Sequence, residues 1–401
     1  MSARAIHSIV ARRTLYLSGV TIVYCLLVSG AFARQEMVVD VSAIDRVHIL
    51  SIAETFLKEP PRTVTAFSSP RSAGGLHEYF SEGDYWWPDP KNPDGPYIQR
   101  DGMTNPDNFN KHREALRRFC DIVSGLTAAY KITGEEKYAA QAIRHLNAWC
   151  VHDATKMYPH LKYAQAIKGR FTGRGIGIID TIHLIEVARA VEVLSASKSF
   201  NKGEEAAIKQ WFAEYLHWLT THPYGIAERE AKNNHGTWWG AQVAAFAHLV
   251  GDTATLSYCR SRFKNGFRPG QMAADGSFPE ELRRTKPYSY SIFNLEGMAT
   301  LCWILSTPAE NLWEFTLPDG RNMRKAVQFL YPYIVDKSKW PYAKDIMHFD
   351  AFPARQPFLL LAGIAFHEAG YIETWKKLET DSGNEEVRRS IPIQQPVLWV
   401  Q

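Results

Sequence analysis

Apolar positions recur at three- and four-residue spacing through most of the chain, broken by a few short polar turns and by longer segments rich in glycine, proline and aromatics. That period predicts helices over Asn108–Tyr130, Glu135–Cys150, Gly177–Ala196, Lys202–Thr220 and Thr237–Val250. It predicts further ones over Ala254–Lys264, Tyr290–Leu305, Arg321–Val335 and Pro357–His367. "ITGEEKY" and "VGDTATL" are short enough to join antiparallel neighbours as hairpins. No run of alternating strands, no βαβ rhythm and no short exact repeat is present.

Four longer segments interrupt the helices: Gly83–Pro106, Ile167–Gly175, His222–Gly236 and Phe267–Tyr288. Successive antiparallel hairpins place alternate connections at the same end. The short turns then gather at one end and the long segments at the other. An all-α (α/α) toroid, a ring of helix hairpins with a groove across its long-loop face, satisfies this layout. Loops held by a rigid scaffold are where function concentrates.

The N-terminus changes the picture of where the chain acts. Arg4, Arg12 and Arg13 precede an apolar run from Leu15 to Val28, and Ala31-Phe32-Ala33 follows as a small-x-small pattern. This reads as an export signal, residues 1–33, cut after Ala33. Residues 34–401 are expected to form a single domain, secreted or periplasmic, with no stable membrane span after cleavage. Losing the signal removes three basic residues and no acidic ones, so the net charge falls from +4 to +1. That balance gives no nucleic-acid footprint. Cys120, Cys150, Cys259 and Cys302 fall within helical patterns at wide spacing and read as buried free thiols.

The unusual chemistry lies in the long segments. "EGDYWWPDPKNPDGPYIQRDGMTNP" carries three successive aromatics, Tyr85, Trp86 and Trp87. They serve either as anchors of a proline-rich loop or as a sugar-stacking platform. In "GRFTGRGIGIIDT", Gly173, Gly175 and Gly177 flank Arg174 ahead of an apolar helix. The pattern lacks the lysine and preceding strand of a phosphate loop, so Arg174 is better suited to a carboxylate. "EAKNNHGTWWGAQ" places Asn233, Asn234 and His235 beside Trp238 and Trp239 at a helix start. One amide suffices for a cap, so the excess calls for a chemical explanation. "ELRRTKPYSYSIFNLEGM" adds Arg283, Arg284, Tyr288 and Tyr290, with Asn294 a turn further in.

Together these segments supply the parts for β-elimination from a uronic acid. The C5 proton is hard to remove because the adjacent carboxylate is already negative. Asparagine and arginine donors stabilise that carboxylate as charge builds, as an oxyanion hole does. A tyrosine or histidine takes the proton, and a tyrosine hydroxyl returns one to the departing C4 oxygen. No cofactor is required, and no calcium-loop or zinc motif is present.

The motifs "YWWPDP", "GRGIGIIDT", "NNHG" and "ELRRTKPYSYSIFNLEGM", in this order between about Phe80 and Leu305, make the chain resemble the alginate-lyase superfamily of polysaccharide lyases. The resemblance implies a helical toroid that cleaves a uronate-containing anionic polysaccharide. It implies Asn234 and His235 as the amide–histidine pair, Arg284 as the arginine and Tyr290 as the catalytic tyrosine. Arg174 matches a substrate-contacting position. Trp86, Trp87, Tyr288, Asn233 and Trp238 are expected around the sugars. Members acting on alginate often carry a second tyrosine where this chain has Phe293, which keeps Tyr288 as an alternative to Tyr290. The fit is better to a single-domain enzyme for glucuronan or related β-linked uronates. Two rivals remain at this level: an inverting glycoside hydrolase and a non-catalytic glycan-binding protein. The hydrolase needs two carboxylates from among Asp84, Asp89, Glu280 and Glu281.

Overall fold

The computed structural model describes residues 37–400. The expected export signal lies outside the described residues. An inner layer of helices packs in succession: Lys111–Thr133, Leu184–Leu194, Asn234–Val250, Pro287–Leu305 and Pro357–Phe366. Outside them lie Val41–Phe56, Glu136–Cys150, Lys202–Thr221, Thr253–Arg262, Met323–Val335 and Ala369–Lys377. This is the expected helical toroid.

Burial follows the layers. In Asn234–Val250 every residue is buried except His235, His248 and Val250, whereas Thr253–Arg262 buries only Cys259. An inner helix is covered from both sides and is therefore apolar almost all round; an outer helix needs only one apolar stripe. The two short turns end their helices on glycines with left-handed backbone, Gly134 (φ 72°) and Gly251 (φ 77°), where a Cβ would be strained. Cys120, Cys150, Cys259 and Cys302 are buried and free.

Several boundaries differ from the sequence pattern. The segment expected as one helix from Gly177 is a 3-10 turn, Gly175–Thr181, followed by Leu184–Leu194. The long segment His222–Gly236 contains its own helix, Pro223–Arg229, started by proline at its first position. The inner helix after it begins at Asn234, not Thr237. Two small sheets also escaped the pattern. Phe80–Glu82 runs parallel to Tyr163–Ala166, and Trp86–Trp87 runs antiparallel to Ile98–Gln99. Strands of two to four residues are too short to show an alternation.

The C-terminal segment is stitched back across the ring. Buried Glu186 accepts from the backbone N–H groups of Gln394 (3.0 Å) and Gln395 (2.7 Å). Burial pushes its carboxyl up to about 7, and those donors pull against that shift. Among the described residues no helix is long and apolar enough to cross a membrane.

Candidate active site

The long segments converge on one cavity of about 570 Å³. Each expected segment contributes to its wall: Tyr85, Trp86 and Asp101 from the first, Arg174 from the second, Asn233, Asn234 and His235 from the third, Arg284 from the fourth. Tyr290, one turn into the helix that follows, completes the set. Asn234 and His235 occupy the first turn of the buried inner helix, so the rigid part of the ring fixes their positions.

Glu281 holds the asparagine. Its two oxygens accept from the Asn234 backbone N–H (2.7 Å) and from Nδ2 (2.9 Å). Burial pushes the Glu281 carboxyl up, while the two Asn234 bonds oppose that. The other amide hydrogen of Asn234 has no partner among the described residues. His235 is fixed from the other side: its Nδ1 lies 2.5 Å from Oε1 of Glu228, whose side chain is only 2% exposed. Burial works against a charged ring, but the attraction to Glu228 outweighs it and raises the imidazole above its ordinary value. Nε2 has no protein partner among the described residues and remains for the cavity. The protonation state of His235 therefore decides its chemistry. As imidazolium it presents a donor from Nε2; as the neutral ring, with Nδ1–H bound to Glu228, it presents a lone pair.

Arg284 is fixed by Asp101, which accepts from Nη2 (2.7 Å) and Nε (3.2 Å). Its guanidinium lies 4.6 Å from the centroid of the Tyr290 ring. The Tyr290 hydroxyl is 2.7 Å from that of Tyr85. Burial, with the neighbouring Tyr85 phenol, pushes the Tyr290 phenol well up, and Arg284 and Arg389 pull against that. Arg174 differs from the other cations. Its Nε donates to the Gln165 carbonyl (2.8 Å), and it forms no ion pair among the described residues. Burial drops it to about 10 against the weaker, more distant pull of Asp180, Asp84 and Glu228, so an anion in the cavity would supply the direct partner it lacks.

The glycines around Arg174 have a packing cause. A Cβ on Gly173 would lie 1.9 Å from the Lys162 carbonyl oxygen, and one on Gly177 would lie 2.4 Å from the Ala164 Cβ. The segment presses on the Tyr163–Ala166 strand, where only glycine fits. The same strand turns sharply at Gln165 (φ 49°), which aims its carbonyl at Arg174.

Three expected sugar contacts need correction. Tyr288 is fully buried, its hydroxyl donating to the Tyr333 carbonyl at 2.9 Å, because its place in the helix turns it toward Trp340 and Phe349. Trp238 is also fully buried and packs on Phe293, 5.0 Å between centroids. Trp87 stands off the cavity wall, anchoring its loop by donating to the Met103 carbonyl at 2.9 Å with Arg100 over its ring. Trp86 does line the cavity, but Arg170 and Arg174 lie 5.5 and 5.7 Å from its ring.

A helical toroid whose loop-side cavity gathers an amide, an imidazole, a guanidinium and a phenol belongs to the polysaccharide lyases, carbon–oxygen lyases that act on polysaccharides. The particular family follows from the comparisons: the Alginate lyase family model matches residues 63–340, and the chain belongs to that family. It is similar to a crystal structure of an alginate lyase from Bacteroides ovatus, with 34% identity, TM-score 0.78 and coverage of 89% of this chain and 93% of that one. Alginate lyase A1-III from Sphingomonas species A1 shares the fold, with 18% identity, TM-score 0.57 and coverage of 90% and 95%. No curated protein matches the chain.

The residues that sequence reasoning missed are mostly partners of those it found. Glu228 lies seven residues before His235 in an unremarkable "AERE", with nothing to mark it as buried. Glu281 was considered only as a hydrolase carboxylate. Asp101 sits in the aromatic loop without a distinguishing neighbour, and Tyr85 stands out there only as one of three successive aromatics. Glu386 and Arg389 belong to "EEVRRS", which reads as a solvated charge run.

Proposed function

We propose that the chain cleaves a β-linked glucuronate or mannuronate polymer, glucuronan or mannuronate-type alginate, by metal-independent β-elimination, leaving 4,5-unsaturated uronate ends. The observation that carries this reading is the convergence on one cavity of Tyr290, Asn234, His235 and Arg284 with an unpaired Arg174. The 34%-identical relative from Bacteroides ovatus, itself described as an alginate lyase, supports a uronate polymer as the substrate.

In this mechanism the reacting uronate places its carboxylate against Asn234 and the imidazolium of His235, with Arg174 adding a free positive charge. These donors stabilise the dianionic character that develops when C5 loses its proton. Tyr290, as phenolate, takes that proton. The C5–H electrons form the C4–C5 double bond, and the C4–O bond breaks. The departing oxygen takes the proton back from the Tyr290 hydroxyl. In β-linked glucuronate and mannuronate the C5 hydrogen and C4 oxygen share one face, so a single tyrosine can do both. Arg284, already committed to Asp101, acts chiefly through the Tyr290 ring by stabilising the phenolate.

The hydrolase reading finds little support. Asp84 is ion-paired with both Arg113 and Arg389, Glu281 is buried against Asn234, and Glu280 is paired with Arg283. The N-terminal pattern of residues 1–33 supports export, so the enzyme is proposed to work outside the cytoplasm.

Incubation with glucuronan, polymannuronate, polyguluronate and a glycosaminoglycan, with and without EDTA, tests the function. The expected result is far-ultraviolet absorbance of unsaturated ends from the first two, undiminished by EDTA. New reducing ends without that absorbance would mean hydrolysis, and loss of activity in EDTA restored by calcium would contradict the metal-independent site.

Glu228→Gln checks the imidazolium. Removing the carboxylate lets burial lower the imidazole, so His235 loses its proton at lower pH. The limb of the kcat/KM profile that reports His235 should move to lower pH, with slower turnover of polymannuronate. A profile superimposable on the wild type would show that Glu228 does not set the charge of His235.

A further inference from the structure

The helix Glu385–Arg389 lies beyond residue 340, where the family match ends, yet Glu386, Arg389 and Ser390 enter the cavity wall. Arg389 makes contacts in three directions there. Nη1 pairs with Asp84, Nε lies 2.7 Å from Oε2 of Glu386, and Nη2 lies 3.3 Å from the Tyr85 hydroxyl oxygen. That oxygen is 2.7 Å from the hydroxyl of Tyr290.

The direction of the first of these hydrogen bonds follows from the donors available. A guanidinium has no lone pair to offer, so the Tyr85 oxygen accepts from Arg389. Between the two neutral phenols either hydroxyl can donate, but once Tyr290 is a phenolate only Tyr85 has a proton to give, and it points to the Tyr290 oxygen. In that state the chain is polarised toward the oxygen that carries the negative charge. We infer that Arg389 is a positioning residue for the elimination: it orients the Tyr85 hydroxyl to donate to Tyr290 and thereby stabilises the Tyr290 phenolate. This rests on the reading of Tyr290 as base given above.

The surrounding charges are consistent with it. Arg284 lies over the Tyr290 ring, and Lys286 lies 5.2 Å from the Tyr85 ring centroid and 5.6 Å from that of Tyr290. Asp101 is held by Arg284, Asp84 by Arg113, and Glu386 by Lys286 at 2.5 Å. The more distant cavity groups Glu281 and His235 are each committed to partners of their own. Arg389 is hydrogen-bonded to Tyr85 directly and reaches Tyr290 through it. A purely structural role, pinning the C-terminal helix to Asp84, is the competing explanation, and the two make different predictions.

The test is a set of kcat/KM profiles against pH on polymannuronate or glucuronan. Difluorotyrosine incorporated at position 290 identifies the limb that belongs to Tyr290, because fluorination moves that limb to lower pH. Arg389→Gln should move the same limb to higher pH and slow kcat by roughly ten- to a hundred-fold, the effect of a hydrogen bond to a charged group. Fluorination at 290 in that background should recover most of the rate. Asp84 and Glu386 each retain a second cation, Arg113 and Lys286, so the variant is expected to fold. Should Arg389→Gln prove unfolded by circular dichroism, Tyr85→Phe decides alone, since it cuts the chain without touching an ion pair. It should produce the same displacement. Slower turnover with the Tyr290 limb unmoved and no recovery on fluorination would make Arg389 structural and overturn the inference. A wild type that yields no unsaturated ends would overturn the elimination reading, and this inference with it.

Discussion

Tyr290→Phe is expected to lower turnover of a mannuronate or glucuronate polymer by about ten-thousand-fold or more while leaving oligosaccharide binding nearly intact. The size follows from the double duty of one hydroxyl, since general base and general acid steps each contribute about 10²- to 10⁴-fold. The change removes one oxygen and little volume. Its hydrogen-bond partner among the described residues, the Tyr85 hydroxyl, is half-buried at the cavity wall and can turn to water. A loss of rate without a loss of binding therefore reports proton transfer. Tyr288→Phe is the control. Its hydroxyl is bonded to the Tyr333 carbonyl, so its loss should cost about 1 kcal/mol of stability and little activity. Near-native rates for Tyr290→Phe with a dead Tyr288→Phe would move the chemistry one helical step back, against the burial of Tyr288.

His235→Ala is expected to have the next largest effect, and its form depends on the sugar. On mannuronate or glucuronate the loss comes from carboxylate stabilisation and should be about 3–4 kcal/mol at the transition state, as for removal of one oxyanion donor. Guluronate is the C5 epimer, so its proton leaves from the opposite face, where Tyr290 does not serve. Any cleavage of polyguluronate then relies on His235 as base, in its neutral form, and should fall further in the variant. Rate measurements on matched oligomers of the two epimers check this. Equal losses on both would show that His235 plays one role for either sugar. A wild type strictly specific for polyguluronate would refute the single-tyrosine mechanism.

How much of this was legible in the sequence depended on the kind of signal involved. The ring of helices could be read because the inner helices are long runs apolar almost all round and short glycine-ended turns set them off from their outer neighbours. The principal side chains could be read because they are excessive where they stand: two amides and an imidazole exceed what a helix start needs, and an arginine flanked by glycines exceeds what a turn needs. Tyr288 was misplaced because a two-residue offset at a helix entrance reverses inside and outside, and "YSY" does not say which tyrosine faces the cavity. Trp238 was misplaced because a helix covered on both sides has no polar face, so the sequence does not say whether a tryptophan near its start faces the cavity or the core. The supporting carboxylates Glu228, Glu281 and Asp101 were hidden for a different reason. Each is paired with a residue remote in the chain or a loop away, and a single sequence does not record such pairings. The C-terminal contribution of Arg389 depends on a return of the chain of roughly three hundred residues to Asp84 and Tyr85, so no local pattern could announce it.

The central claim is that the glycosidic C4–O bond is broken by elimination at Tyr290, and a mass balance on a defined oligomer tests it most directly. Digestion of a mannuronate or glucuronate oligomer with a reduced end gives two fragments that can be weighed in a mass spectrometer. Elimination adds nothing, so the account predicts that the two masses sum to that of the parent, with the non-reducing end of one fragment unsaturated, and that Tyr290→Phe gives neither fragment. A pair of fragments heavier than the parent by one water would mean hydrolysis and would contradict the account.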